Sequence, residues 1–337
     1  MRFIGSKKLL LGDIERVICE NINNAESFCD IFSGTVSVGK YFKNKYKIIT
    51  NDLLYFSYCL QKAIIENNTT PKFDKLGFNP IEYFNNVKTD ELSQISKEKC
   101  FCLNNYSPIG GRMYLTEENS LKIDYIRNTV NDWREKKIIN DKEYYYLLAV
   151  LIEAIPFVSN ISGTYGAYNK FWDKRALNNI NLKNLEIFDN TKENKAYNEK
   201  ANKLVEKIGG DILYIDPPYN KRQYSSNYHL LETVAKYDYP ILKGVTGQRP
   251  NEIKSEYCKK TKVFKSFEDL ISKAKFKHII VSYSTEGLMG VNEIEAVLKN
   301  NGKNYKLYEI PYRRFKSNVT NSQEELKELI FYIKKEV

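Results

Sequence analysis

The chain has 337 residues and 39.4 kDa, with 42% hydrophobic and 13% aromatic residues, which supports a packed core and excludes a disordered polymer. That length suits one large domain carrying an insertion, or two domains. Two histidines only, His229 and His278, argue against a multi-histidine metal site, and no run reaches the roughly 18 apolar residues of a membrane span.

The balance of 52 Lys+Arg against 42 Asp+Glu, net +10, favours a polyanionic partner, because clustered cations release counterions from a phosphate backbone. Lysine dominates the basic residues and Asn, Ile and Tyr are abundant, so an A/T-rich coding genome accounts for part of the surplus.

In chain order, the opening MRFIGSKKLLLGDIERVI has no continuous apolar segment and does not read as a signal peptide. Residues 27–65 then read as strand, turn, helix, strand, helix. The strand is SFCDIFS, the turn GTVSVG, a helix opens over Val38–Phe42, YKIIT ends at Asn51-Asp52, and Leu53–Ile65 has helical apolar spacing. A strand–turn–helix–strand unit with an acid about twenty positions after the turn is the half-Rossmann pattern.

From about residue 67 to 180 the alternation stops. Turn-rich stretches such as NNYSPIGGR precede helices predicted near 117–138 and 141–155, which marks a mostly helical insertion. The α/β pattern resumes at Lys195–Asn198, with a helix over Ala201–Ile208 and the strand DILYI ending at Asp216. A strand HIIVS, a helix over Asn292–Lys299 and a terminal antiparallel hairpin of Tyr305–Ile310 with Leu329–Ile333 complete the reading. Six cysteines lack any CxxC pair, Cys100-Phe101-Cys102 being the only close one, and read as reduced thiols of a soluble cytoplasmic protein.

Chemistry concentrates in Asp216-Pro217-Pro218-Tyr219, directly after DILYI. Two prolines cannot extend a strand ladder, so they force a rigid exit that presents Asp216 and Tyr219 at the carboxyl end of a sheet, where open α/β folds bind ligands. A carboxylate beside a backbone carbonyl suits an exocyclic NH2, and the ring offers a base-stacking face of about 1–3 kcal/mol.

With these residues in place the chain resembles S-adenosyl-L-methionine-dependent DNA adenine-N6 methyltransferases of the α (D12) class. It is most similar to type II modification enzymes of the CATG-recognising kind. The resemblance runs through RFIGSKKLL, FCDIFSGTVSVG, ITNDLLYFSY, GRMYLTEENSLKID, GTYGAYNK, DILYIDPPYNKRQYSSNYHLLETVAKYD, SFEDLI, VSYSTEGLM and YRRFKS. It implies a Rossmann-like class I methyltransferase fold, a mostly parallel seven-stranded sheet with an antiparallel hairpin. Residues 1–66 and 181–337 are then the catalytic core, and residues 67–180 an inserted, mostly helical target-recognition segment.

Carried over from the family, Asp216, with the Pro217 carbonyl, receives the adenine N6 amine, Pro218 stiffens the turn, and Tyr219 stacks on the flipped base. Asp216 acts by orientation and electrostatics, since a carboxylate of ordinary pKa is a weak base. Asp30, Phe32, Gly34 and Asp52 correspond to cofactor-binding positions, and Phe3 and Lys7 to N-terminal residues closing over the cofactor. Asp52 also suits a plain helix cap, and Lys7 a solvated lysine. For DNA the candidates are Arg112, Lys221, Arg222, Tyr224, Arg313, Arg314 and Lys316. His229 reads as structural. The implied partner is double-stranded DNA in a bacterial-type cytoplasm, with a restriction endonuclease acting on the same site without direct complex, and no metal.

Two positions depart from the family. Val36 stands where a second glycine is usual, and a β-branched residue is disfavoured at positive φ, so the loop is expected to differ or to bind cofactor weakly. Lys200 stands where an acid near the cofactor adenine is expected, with Glu199 or Asn198 as substitutes. The alternatives are methylation of cytosine N4, RNA adenine or a glutamine amide, or a DNA-binding protein with a decayed cofactor site.

Overall fold

A computed structural model describes residues 5–92, 95–311 and 327–336. Contacts divide the chain into two compact units. One comprises Met1–Ser6, Leu54–Thr191 and Tyr224–Ile253; the other comprises Lys7–Leu53, Lys192–Gln223 and Lys254–Val337. These units cut the chain at other places than the expected functional division at 66/67 and 180/181. The helix after the second strand (Tyr55–Gln61) and the segment after the proline turn cluster with the insertion, because their apolar faces pack on its helices.

The second unit holds the whole sheet. Its strands are β1 (Ser27–Asp30), β2 (Lys47–Asn51), β3 (Lys195–Tyr197), β4 (Gly209–Ile215), β5 (Lys275–Ser284), β6 (Lys303–Pro311) and β7 (Lys327–Lys334). They lie in the order β3-β2-β1-β4-β5-β7-β6. The first five are parallel, and β7 runs antiparallel between β5 and β6, so the expected terminal hairpin is present. Ile212, Leu213, Tyr214 and Ile215 of β4 are fully buried, which is why DILYI reads as an unbroken apolar run: both faces of a central parallel strand are covered.

Helices α1 (Leu11–Asn21), α2 (Ser37–Phe42), α3 (Ala201–Leu204), α4 (Val263–Lys273) and α5 (Val291–Asn301) belong to this unit. Helix α4 buries Val263, Phe267, Leu270 and Ile271, an i, i+4, i+7, i+8 stripe, and α1 buries Ile14, Val17 and Ile18. Strand order turns back between β1 and β4, which opens a crevice at their carboxyl ends.

The first unit is built on helices Tyr55–Gln61, Glu117–Glu135, Asp141–Ala154 and His229–Lys236. Tyr55–Gln61 continues as a π-helical turn, Lys62–Glu66, so the predicted single helix to Ile65 changes pitch at its end. Buried Arg127 donates to the Val234 and Ala235 carbonyls at 2.7 and 3.5 Å and so caps the end of His229–Lys236. No helix among the described residues is long and apolar enough to cross a membrane.

Candidate active site

The last parallel pair of β4 with β5 is Ile215↔Val281, so Asp216 is the first residue beyond the ladder. Pro217 and Pro218 have no N–H to extend it. The turn is buttressed from the segment after β5: Leu288 N donates to Tyr219 O at 3.0 Å, and the Tyr283 ring meets the Tyr219 ring edge-on at 6.0 Å. The Tyr283 hydroxyl in turn accepts from Met289 N at 3.1 Å. Residues of VSYSTEGLM thus act as the brace of the proline turn.

Lys7 reaches this turn from the N-terminal segment. Its ammonium lies 3.3 Å from Asp216 Oδ1 and 5.3 Å from the Tyr219 ring centre, and it donates to Glu328 Oε2 at 3.0 Å. Lys7 is 4% exposed, so it is a buried member of the site and no solvated lysine. Burial opposes its charge, but Asp216, Glu328 and Tyr219 outweigh that, and its pKa stands above the ordinary lysine value. Burial pushes the Asp216 carboxyl up, Lys7 pulls it down and Glu328 pushes it up again, for a net rise to about 6. Asp216 is therefore a better proton acceptor than the ordinary carboxylate expected from sequence. Glu328, at the start of β7 opposite Ser284, escaped the sequence reading altogether; only an acid opening an apolar strand could have flagged it.

The neighbouring strand ends bring further acids together. Asp30 closes β1 and is buried; the backbone N–H groups of Phe32 and Gly39 hold its carboxyl. Burial, then Asp216 and Asp52, raise its pKa well above the usual range. Asp52 Oδ2 accepts from Gly34 N at 2.9 Å, which fastens the turn after β1 to the end of β2. Helix Tyr55–Gln61 is instead preceded by Leu54, so Asp52 is not its cap. Phe32 packs edge-on against Tyr257 at 4.9 Å.

Buried Asn51, noted in sequence only as part of the Asn-Asp pair, ties three chain segments together. Its amide donates to Ile31 O and Glu199 O, each at 3.1 Å, and its oxygen accepts from Glu199 N at 3.0 Å.

Val36 resolves one departure. It sits at φ 58°, ψ 16° directly before α2, buried, with its N–H on Ser33 O at 2.7 Å. The left-handed turn is thus kept, at a steric cost of about 1–2 kcal/mol, which removes the first of the two expected alternatives, a loop of different conformation. At the other departure, Lys200 precedes α3. Asn198 donates to Asp52 O at 2.8 Å, and the Glu199 carboxylate pairs with Lys207.

The outer candidates divide. Lys221 and Arg222 are exposed just past the turn, with Arg222 N held by Asn220 Oδ1 at 3.0 Å. Tyr224, counted in the other unit, stacks on Tyr228 at 6.1 Å. Arg112, expected as a recognition residue, donates to the carbonyls of Val245, Asn105 and Gly244 at 3.0, 2.8 and 3.0 Å. Two of these acceptors belong to the 243–248 turn and the third to the segment before Tyr106, so Arg112 braces that turn against residue 105. Buried His229 shares a 2.8 Å hydrogen bond with Tyr165 O, and burial lowers its pKa to about 4, which fits a structural residue. Phe3, Arg313, Arg314 and Lys316 lie outside the described residues.

Asp30, Asp52 and Asp216 thus stand at the carboxyl ends of neighbouring strands, where burial and the two other acids disfavour the charge of Asp30, and burial and Glu328 that of Asp216. A ligand bearing positive charge relieves that cost, and an NH2 donor suits a carboxylate flanked by an aromatic ring.

A profile of the D12 class N6 adenine-specific DNA methyltransferase family matches residues 3–297. Type II methyltransferase M.FokI of Planomicrobium okeanokoites is 54% identical over 347 residues, covering 100% of this chain and 53% of that protein. Modification methylase StsI of Streptococcus sanguinis is 44% identical, covering 99% of this chain and 52% of its own. Type II methyltransferase M.NlaIII of Neisseria lactamica is 37% identical, covering 96% and 95%. The chain spans about half the length of the first two relatives and nearly all of the third.

Proposed function

The chain belongs to the D12 class N6 adenine-specific DNA methyltransferase family, and from that membership we propose that it methylates N6 of an adenine flipped from duplex DNA, as the modification enzyme of a type II restriction-modification system. A cognate endonuclease then shares its site without a direct complex, and both act on cytoplasmic DNA. The observation that carries the reading is the acceptor carboxyl of Asp216, rigidly held beyond β4 beside the Tyr219 ring.

The methyl donor is S-adenosyl-L-methionine. Its sulfonium and ammonium charges match the three acids of the crevice, and when bound it supplies an electrophilic methyl group. Asp52, fastened to Gly34, is placed for ribose hydroxyls, and Asp30, Phe32 and the turn at Gly34 for the amino-acid end. Asp216 accepts from the adenine amine, aided by the Pro217 carbonyl, and Tyr219 stacks on the base. Methylation of N6 would release one proton from the amine at the Asp216 carboxyl. Asp216, raised to about 6, can take that proton before passing it to water. In this reading Lys221, Arg222 and Tyr224, which follow the turn in sequence, brace the gap in the duplex, and Arg313, Arg314 and Lys316 contact phosphates.

Incubation of duplex DNA with the chain and S-adenosyl-L-methionine, followed by mass spectrometry of the nucleosides, tests this. N6-methyladenine is expected; N4-methylcytosine without it, or no methylated nucleoside, overturns the proposal. Methylation-sensitive sequencing of the same DNA gives the recognition site.

A further inference from the structure

The Lys7 ammonium is shared unequally between buried Glu328 and half-buried Asp216, and the inequality has a chemical consequence. Glu328 Oε2 receives a hydrogen bond from it at 3.0 Å, whereas Asp216 Oδ1 lies 3.3 Å away without one. The three side chains are 3%, 8% and 16% exposed for Lys7, Glu328 and Asp216. Asp216 Oδ1 is fully buried and meets the Lys7 ammonium only in this longer ionic contact, with no hydrogen bond of ordinary geometry, so what exposure the carboxyl has falls on its other atoms. A buried lysine facing one carboxylate normally gives it a direct charge-assisted hydrogen bond, which saturates the acceptor and lowers its basicity. Here β7 supplies a second carboxylate that orients the ammonium towards itself and takes the shorter, hydrogen-bonded contact.

We propose that Glu328 is a positioning residue for methyl transfer: by drawing the Lys7 hydrogen bond to itself it keeps the Asp216 carboxylate placed but unsaturated, free to receive the target amine. This deepens the adenine-N6 reading and rests on it. Lys7 still supplies a counter-charge at 3.3 Å, enough to hold the carboxylate in place within a buried site. Glu328 sets how much of that charge Asp216 feels. The geometry is defined by the fold, since Glu328 is paired with Ser284 of β5 and Ile310 of β6 and cannot drift from the sheet.

The other titratable groups facing Asp216 are few. Asp30 comes from the end of β1, Tyr214 from its own strand and Tyr219 from its own turn. Tyr214 donates to Ser282 Oγ at 2.8 Å and, buried, stays neutral. Burial and Asp216 keep Asp30 from ionising readily. Among the described residues, Lys7 and Glu328 are therefore the two charges that tune Asp216, in opposite directions, as the causes of its raised pKa indicate.

The test compares wild type with Glu328→Gln, which keeps the shape and removes the charge. Two readouts are taken: the pH dependence of single-turnover methylation of duplex DNA, and the titration midpoint of Asp216 followed by carboxyl-carbon NMR, with Asp216→Asn assigning the signal. Glu328→Gln should lower the midpoint and the acid limb of the rate together, by about one pH unit. The plateau rate should fall about tenfold while KM for DNA changes little. Lys7→Met should move both upward. An unmoved midpoint in a folded Glu328→Gln protein overturns the proposal, even if its melting temperature drops. Should Glu328→Gln fail to fold, Glu328→Asp carries the test: the retracted carboxylate loosens its hold on Lys7, the ammonium turns to Asp216 and the midpoint should fall, and a fixed or raised midpoint overturns the proposal. If wild type methylates no adenine although the Asp216 midpoint responds to Glu328, the adenine reading fails and the coupling stands.

Discussion

Gly34 N and Asp52 Oδ2, eighteen positions apart, are joined at 2.9 Å, so the turn after β1 and the acid after β2 form a single rim. A helix cap would have left that carboxylate turned to its own helix. Fastened to the turn, it instead has its position set by both strands.

Asp52→Ala should therefore act on cofactor affinity first. Loss of a charge-assisted hydrogen bond, and of the rim it holds, should raise the Kd for S-adenosyl-L-methionine about tenfold or more, with a smaller change in rate at saturating cofactor. Calorimetric titration reads the first and single-turnover kinetics the second. An unchanged Kd would show that Asp52 serves the turn alone.

Asp216→Ala should reduce transfer by about a hundredfold or more, the usual effect of deleting an electrostatic group at the reacting atom. Binding of duplex DNA should be largely retained, because the charge lost faces the crevice and not a phosphate. Gel-shift titration beside rate measurement separates the two. Unchanged turnover would remove Asp216 from the chemistry.

The rate should also fall with acidity in a particular window. Asp216 is raised to about 6, so it is ionised above that pH and loses its acceptor role as pH falls through it. Single-turnover rates should hold from about pH 8 to 7 and decline by about tenfold per unit well below 6. A flat profile down to pH 4.5 would mean that ionised Asp216 is not required.

At Val36 the usual order of substitutions should change. Alanine keeps the left-handed strain and loses buried methyl groups; glycine loses slightly more apolar surface but removes the strain. Val36→Gly should be no more destabilising than Val36→Ala in urea unfolding. At buried Val38, inside α2, glycine should cost about 1 kcal/mol more than alanine. The same ordering at both sites would contradict a positive φ at Val36.

Arg112→Ala should loosen the turn at 243–248, with a loss of about 1–3 kcal/mol after allowing for partial exposure. Arg112→Lys should recover little, since an ammonium cannot reproduce a planar fork aimed at three carbonyls. Denaturant unfolding measures both. If the alanine variant keeps its stability and only the DNA sequence preference changes, Arg112 reads bases after all.

The parts legible in the sequence share a local cause. DILYI and HIIVS announced buried parallel strands through composition, and the proline pair announced the exit from the sheet. The helices over 117–138 and 141–155 followed from spacing, and cap residues Thr116 and Asn140 start them. Helices α1 and α4 carry equally clear stripes, at Ile14-Val17-Ile18 and Val263-Phe267-Leu270-Ile271. Asn51 and Glu328 gave no such signal, being single polar residues at the ends of apolar strands.

The sequence by itself determined the order of strands and helices, the family and the proline-stiffened acid, because periodicity, backbone restriction and short motifs act over a few residues. Only the tertiary structure decided that Lys7 answers to Glu328, 321 positions away. It likewise decided that Asn51 fastens three segments, that Arg112 braces a turn, and that helix Tyr55–Gln61 clusters with the insertion. These depend on which strand lies beside which and on what burial does to a charge, and the cost of an unpaired buried charge exists only once the chain has closed around it.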